Sequence, residues 1–519
     1  MMKTKSFLLS AFAVIMLAGC SDDAQEDLGI PGDALIGKAY LSLSLQSHAT
    51  GSSSRANVEI QPGSSEESKA TNVTVLLFDK DDVCLDVVDF NGTIVGNSGG
   101  NSQPEAQASD AKLVPEKTKK VFVVINPYTS GWDLSKEAVV GKLWSAINTA
   151  VDTDITNVAT SDNFMMASAG TSDKGALTEV DVYKPEAYTT EAVEAAKNSA
   201  KTHAATVNVD RLSAKVQVAV QSPEITKPTG ASFTFDGWEL SVTNKSVRLY
   251  SDLVTYTGAT PGAVYRRDKN YLVGEQPANE TARNAAFNYL KNINSTTETM
   301  PGVAKTDGAS QYCLENTMDA KAQQLGFTTK VVVKAHYSPN AVNANSSYFS
   351  WKGAYYTLTE LKNEYKSHSA GSGLKVDLPI FLKKAKLMAE DVIDQSTIDT
   401  AVEALKDDDF DAKTGIIGRF CAVRYYHESV CYYDVLIRHD QAITTKMALG
   451  RYGVVRNNWY SIELQSVSGP GTPWIPDPSD PDPNNPTPPG TDDDEADAYL
   501  SVKIVINPWT FWKQGADLH

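Results

Sequence analysis

The sequence predicts a mainly β protein: two β-sandwich domains with helices inserted in their loops, then a proline-rich linker and one last strand. Three observations carry this. Apolar residues alternate with polar ones through many short segments, the period of a half-buried strand. Gly, Pro, Asn and Asp cluster between those segments and mark turns. Two stretches far apart, Ala39-Tyr40-Leu41-Ser42-Leu43-Ser44-Leu45 and Ala498-Tyr499-Leu500-Ser501-Val502-Lys503-Ile504-Val505-Ile506, are nearly the same strand written twice. Leu41, Leu43 and Leu45 share one face of the first, and Leu500, Val502, Ile504 and Ile506 one face of the second. Segments built alike fit the same slot in a sheet.

The first half reads as strands at 72–78, 84–90 and 119–125, helices at 136–150 and 191–204, and a strand at 207–220. Val139, Leu143, Trp144 and Ile147 recur at helical spacing and form a core stripe. The second half reads as strands at 232–242, 328–337 and 355–359, with a helix near 280–293. A helical region at 385–405 and strands at 419–426, 430–437 and 459–466 complete it. Strand-rich halves separated by turn clusters are sandwiches rather than βαβ units. The boundary falls near 222–228, where Pro and Gly interrupt two strand patterns.

The ends carry signals of a different kind. Lys3 and Lys5 precede an apolar stretch from Phe7 to Leu17, the pattern of a secretory signal, too short to span a bilayer. Leu17-Ala18-Gly19-Cys20 resembles a bacterial lipobox, in which the Cys thiolate takes the lipid; Ser21-Asp22-Asp23 resembles the surface-export tag of Bacteroidetes lipoproteins. Acyl chains on Cys20 would hold the protein to a membrane. Segment 46–70 reads as an exposed loop, and Arg55 among its small residues is by itself a solvated side chain or, for a protease of Arg specificity, a cut site. Nine prolines between Pro470 and Pro489 prevent that stretch from joining a sheet. Extended at about 3.1 Å per residue, roughly 25 residues reach on the order of 70 Å, so the last strand sits on a long tether.

Composition narrows the function classes. The 519 residues suffice for at least two domains, and 41% apolar content is that of a globular chain. A net charge of −17 excludes a nucleic-acid partner, which needs a basic face. Of five cysteines, Cys20 is assigned to lipidation. The even remainder, Cys84, Cys313, Cys421 and Cys431, permits disulfides in an exported chain, Cys421 with Cys431 first, across a hairpin turn at 425–428; free buried thiols are the other reading. No spacing suits zinc, and HExxH, GxSxG, P-loop and dinucleotide motifs are missing. Asp79-Lys80-Asp81-Asp82 reads as a solvated turn and Asp492-Asp493-Asp494-Glu495 as a solvated acidic run. No cofactor and no enzymatic activity is expected.

Several blocks together resemble the fimbrillins of Bacteroidetes, in particular the structural (stalk) subunits of the short, minor fimbriae of Porphyromonas. They are the lipobox, the Arg55 loop after the first strand, and Val207-Asn208-Val209-Asp210-Arg211-Leu212-Ser213-Ala214-Lys215-Val216. Val454-Val455-Arg456-Asn457-Asn458-Trp459-Tyr460, Trp474-Ile475-Pro476-Asp477-Pro478 and the tail Ser501 to Trp509 complete the set. The resemblance implies two transthyretin-like β-sandwich domains and a lipoprotein precursor. It divides the chain into a signal peptide at 1–19, a lipidated propeptide with the first strand at 20–55, domains at 56–225 and 226–466, a linker at 467–497 and a donor strand at 498–519. It implies cleavage by an Arg-specific protease between Arg55 and Ala56, loss of the Leu41-Leu43-Leu45 strand, and its replacement by a neighbour's C-terminal strand. It further implies a head-to-tail homopolymer on the cell surface, accessory anchor and tip subunits, and adhesion to host or bacterial receptors. The competing expectation is a monomeric surface lipoprotein that binds glycans on Trp351, Tyr355 and Tyr356; a hydrolase with two hidden carboxylates is a third.

Overall fold

Strands such as Val73–Phe78 and Lys120–Ile125 are near-continuous apolar runs, and in the computed structural model both of their faces are buried. The structure describes residues 32–47, 61–93, 95–97, 106–171, 175–221, 224–254, 265–270, 280–290, 305–440, 443–475 and 500–510. The main N-terminal sheet runs in the order Cys84–Asp89, Val73–Phe78, Lys120–Ile125, Met166–Ser168, Ala205–Arg211, Leu43–Ser47, Val95–Asn97. Val75, Val123 and Val207 point to one core, whereas Leu76, Phe122 and Val124 point to the other. The antiparallel pair Lys38–Leu41 and Lys112–Pro115 closes the first core, with Leu41 and Val114 packed into it. Trp132, Val139 and Ile147 cover the second.

The C-terminal domain is a two-layer sandwich. One layer is ordered Ser310–Leu314, Ser213–Val220, Asn458–Val467, Leu500–Thr510, Gln61–Pro62, and the other Ser232–Ser241, Lys330–Ser338, Val430–Leu436. Val216, Tyr460 and Ile462 meet Trp238, Val333 and Val435 between the layers. Into this sandwich is inserted a module with a core of its own. The three-stranded sheet Ala354–Tyr356, Tyr348–Trp351, Val423–Tyr426 carries helices Leu358–Ser367, Leu374–Lys384 and Gln395–Ala404, and Phe349, Leu361, Phe381 and Tyr425 fill the space between them. No helix among the described residues is long and apolar enough to cross a membrane.

The elements depart from the sequence expectations where backbone geometry overrides pattern. The helix expected at 136–150 is two single turns, Lys136–Val139 and Trp144–Ile147, separated by Gly141 at φ +82°. Leu143, expected in the core stripe, is exposed. The strand expected at 355–359 stops at Tyr356, because Thr357 caps the next helix in a reciprocal pair with Glu360. The helical region expected at 385–405 lies at Leu374–Lys384 and Gln395–Ala404. The strand expected at 207–220 is broken at Leu212: Ala205–Arg211 belongs to the N-terminal sheet and Ser213–Val220 to the C-terminal sandwich. The chain therefore changes sheets at Leu212, ahead of the expected boundary at 225.

The turn at 425–428 is not a hairpin. His427–Ser429, with Glu428 and Ser429 at positive φ, passes the chain from the inserted sheet to the sandwich. Cys421 packs beside the inserted module's core and Cys431 inside the sandwich core, so the two thiols are not bonded to each other. Burial pushes the Cys431 and Cys313 thiols up to about 12. The stretch expected to begin the tether at 467 is instead packed down through Ile475. Thr472 exchanges backbone bonds with Tyr432, and Trp474 and Ile475 are buried.

Candidate functional site

The first strand is part of the N-terminal core. Leu43–Ser47 lies between Ala205–Arg211 and Val95–Asn97 and runs parallel to both. Leu41 is 1% exposed, and Leu43 and Leu45 are 0% exposed. Their removal would open a slot lined by Val75, Val123, Val207 and Val209 and would leave two strand edges unpaired. Polar contacts fix the strand in this slot. Ser42 falls at the break between Lys38–Leu41 and Leu43–Ser47, and its hydroxyl donates to the Ser109 carbonyl at 2.6 Å. Ser109 also accepts the Leu43 N–H on its hydroxyl at 3.0 Å and donates its own N–H to the Leu43 carbonyl at 2.8 Å. The Gln46 amide donates to Asn208 at 2.8 Å. At the entrance Tyr40 packs on Ala196 and Ala200 of helix Thr190–Thr202, with the Lys197 ammonium over its ring; burial raises its phenol pKa.

The last strand occupies a different slot. Leu500–Thr510 pairs antiparallel with Asn458–Val467, with Ile504 opposite Ile462 and a bulge at Leu464–Ser466. Leu500 and Ile504 are each 6% exposed and face the core of their own sandwich; Val502 is packed against it. Ile506 is paired with Tyr460, and nothing is described of its side chain. Trp509 and Thr510 pair in parallel with Gln61 and Pro62, just beyond Arg55 in sequence. The two similar strands thus lie in separate sheets. Cys20, Arg55 and Ala56 lie outside the described residues, as does the linker from 476 to 499.

The blocks at 207–216 and 454–460 have no role evident from sequence alone. The structure places them together between the domains. Arg266 donates to Asp210 at 2.6 Å, and Asp210 accepts the Asn457 amide at 2.9 Å. Arg456 bridges Glu315 at 3.1 Å and donates to the Leu249 carbonyl and the Ser251 hydroxyl. Lys215 pairs with Glu67 at 2.8 Å while its ammonium lies 3.9 Å from the Trp459 ring centre. Burial raises the Glu67 carboxyl, but hydrogen bonds from Lys215 and Tyr312 outweigh it and hold the group below its ordinary range. Burial pushes the Arg211 guanidinium down to about 10. The signal was the concentration of Asp, Arg, Lys and Asn in otherwise alternating strands.

Of the three aromatics expected to form a platform, Trp351 is buried and Tyr355 and Tyr356 are half-buried. Trp351 is 6% exposed, with its indole N–H on Asp377 at 2.8 Å, His368 edge-on to its ring and Lys352 over it. Asp79 forms a turn as read, accepting the N–H groups of Asp81 and Val83. No group of three or more His, Cys, Asp or Glu among the described residues could hold a metal ion.

Residues 424–515 match the family described as "Major fimbrial subunit protein type IV, Fimbrillin, C-terminal". No curated protein matches in sequence. Among solved structures, the chain is similar to a candidate cell adhesion protein from Parabacteroides distasonis, at 12% identity and a TM-score of 0.41, over 92% of this chain and 99% of that one. It is similar to the C-terminally truncated tip fimbrial protein of Porphyromonas gingivalis, at 11% identity and a TM-score of 0.32, over 91% and 100%. The fimbrial anchor protein of the same organism aligns at 10% identity and a TM-score of 0.23, over 58% and 78%. The matched segment takes in the strands Val430–Leu436, Asn458–Val467 and Leu500–Thr510, so the similarity to the fimbrillin family lies in the C-terminal sandwich and the last strand.

Proposed function

We propose that this chain is the stalk subunit of a short, minor-type fimbria that polymerises head to tail by exchange of strands. The carrying observation is that a strand essential to the N-terminal core lies wholly upstream of Arg55, while a near copy of it closes the chain on a tether. The precursor is a lipoprotein held to the outer membrane through Cys20. An Arg-specific protease cuts between Arg55 and Ala56, and the lipid and the Leu41-Leu43-Leu45 strand leave together. The vacated slot exposes apolar surface and strand edges, a sticky state. The C-terminal strand of the next subunit leaves its own sandwich and fills the slot by β-augmentation. Leu500, Val502, Ile504 and Ile506 then bury about 1.5–3 kcal/mol each, before entropy. The donated strand and the receiving slot are different surfaces, so each subunit joined head to tail leaves one of each open and a filament grows. Accessory anchor and tip subunits bound it at its ends, and its exposed faces adhere to host cells or other bacteria.

The test is the mature N-terminus and the mass of the surface-extracted protein. A chain beginning at Ala56 that runs unboiled as a high-mass ladder is the expected result. A chain beginning at lipidated Cys20 and running as a single band would refute the reading. The buried position of Trp351 gives the glycan-platform alternative no support.

A further inference from the structure

The two alternating strands agree residue for residue at their start, Ala39-Tyr40-Leu41-Ser42 and Ala498-Tyr499-Leu500-Ser501. Alternation alone does not set a register, because a slip of two residues keeps every apolar side chain on the same face. Something else must select one register, and Ser42 supplies it. Its side chain is buried, 1% exposed, at the point where antiparallel pairing with Lys112–Pro115 gives way to parallel pairing with Ala205–Arg211. The Ser109 carbonyl that accepts its hydroxyl belongs to a buried residue and loses that partner when the strand leaves. In its own sandwich Ser501 is exposed and opposite Ser466 at the bulge, so its hydroxyl is not needed there.

Resting on the exchange proposed above, we infer that the incoming strand takes the register that puts Ser501 in the place of Ser42, parallel to Ala205–Arg211, and that Ser109 reads this register. Leu500, Val502 and Ile504 then replace Leu41, Leu43 and Leu45. Val505 replaces Gln46 opposite Asn208, and Lys503 replaces the half-buried Ser44. A slip of two residues in one direction puts the Lys503 ammonium into the buried Ser42 position, and in the other direction the Tyr499 ring. The first buries an unpaired charge and the second overfills a serine-sized space. A slip of one turns the apolar face outward. Ser109 is thus a positioning residue for the incoming strand and Ser501 a determinant of its specificity.

Two measurements on the full mature chain test this. In the double variant Asn208→Cys with Val505→Cys, mild oxidation should link consecutive subunits, so that the ladder survives boiling without reductant. Pairs of Asn208→Cys with Lys503→Cys or Asn507→Cys should stay boil-sensitive, as should the single variant. Linkage at 503 or 507 in place of 505 overturns the register. Ser501→Val should weaken strand capture about tenfold through the carbonyl left without its partner, whereas Ser501→Thr, which keeps the hydroxyl, should extend normally. The monomer should unfold alike in all three, since Ser501 is exposed there. Normal extension by Ser501→Val removes the role assigned to the hydroxyl. A wild-type chain that is cut at Arg55 and forms no ladder overturns the exchange itself, and this register with it.

Discussion

At the scale of single residues, the interdomain ion pairs decide more than their number suggests. Glu67 is buried, and its carboxylate is satisfied by Lys215 and Tyr312. A buried pair is a weak source of net stability, but removing one member strands the other without a partner, at about 3–5 kcal/mol. Glu67→Gln is therefore expected to lower the unfolding free energy from a chemical denaturation series by that order. A smaller loss than that of a surface Glu67-distant control such as Glu194→Gln would show that Lys215 finds another partner. The pH dependence has a definite sign. The folded-state pKa of Glu67 lies below its unfolded value, so its stabilisation is present at neutral pH and is lost as pH falls through the folded pKa. Wild-type protein should weaken in acid more steeply than Glu67→Gln, measured as unfolding free energy between pH 6 and pH 3. In sequence Lys215 lay in a recognisable block, whereas Glu67 lay in the segment 46–70 expected to be an exposed loop; the structure buries it instead, because Lys215 and Tyr312 meet its carboxylate. Charged residues in alternating strands look solvated until the second domain covers them.

At the scale of elements, strand alternation was legible and helix continuity was not. The first strand was read with its apolar face correct at Leu41, Leu43 and Leu45, because a period of two survives any tertiary context. The helix at 136–150 was misjudged, because one glycine in the left-handed region ended a turn that apolar spacing alone would continue. Thr357 escaped notice although the Thr-x-x-Glu spacing is a helix start in its own right. The first strand yields a prediction at this scale. Leu45→Ala leaves a cavity in the precursor and should destabilise its N-terminal domain by about 2–5 kcal/mol. If the first strand leaves as proposed, the polymer of the cut chain lacks residue 45 and should melt as wild type does. Equal loss in precursor and polymer would mean that the strand stays after the cut.

At the scale of the whole molecule, the arrangement of the two slots matters most. The last strand is stored on Asn458–Val467 within its own sandwich, with its far end against Gln61–Pro62. Deletion of residues 498–519 should leave a folded monomer, because the two facing layers keep Val216, Trp238, Val333 and Ile462 between them. That monomer should accept a strand from another subunit but pass none on, so it terminates ladders when mixed with wild-type chain. Ladders of normal length from the truncated chain alone would overturn the donor role.

The amino-acid sequence by itself determined the β class, the alternating strands and their apolar faces. All are local properties of composition and period, independent of what packs against them. Only the tertiary structure decided that the two similar strands occupy different sheets, that the chain crosses between domains at Leu212, and that Cys421 and Cys431 lie in separate cores. It alone brought Asp210, Arg266, Arg456 and Glu315 into one buried lattice and set Ser109 against Ser42. These are contacts between residues far apart along the chain, fixed by which sheet edges remain open once the cores have closed, and no period or motif encodes that choice.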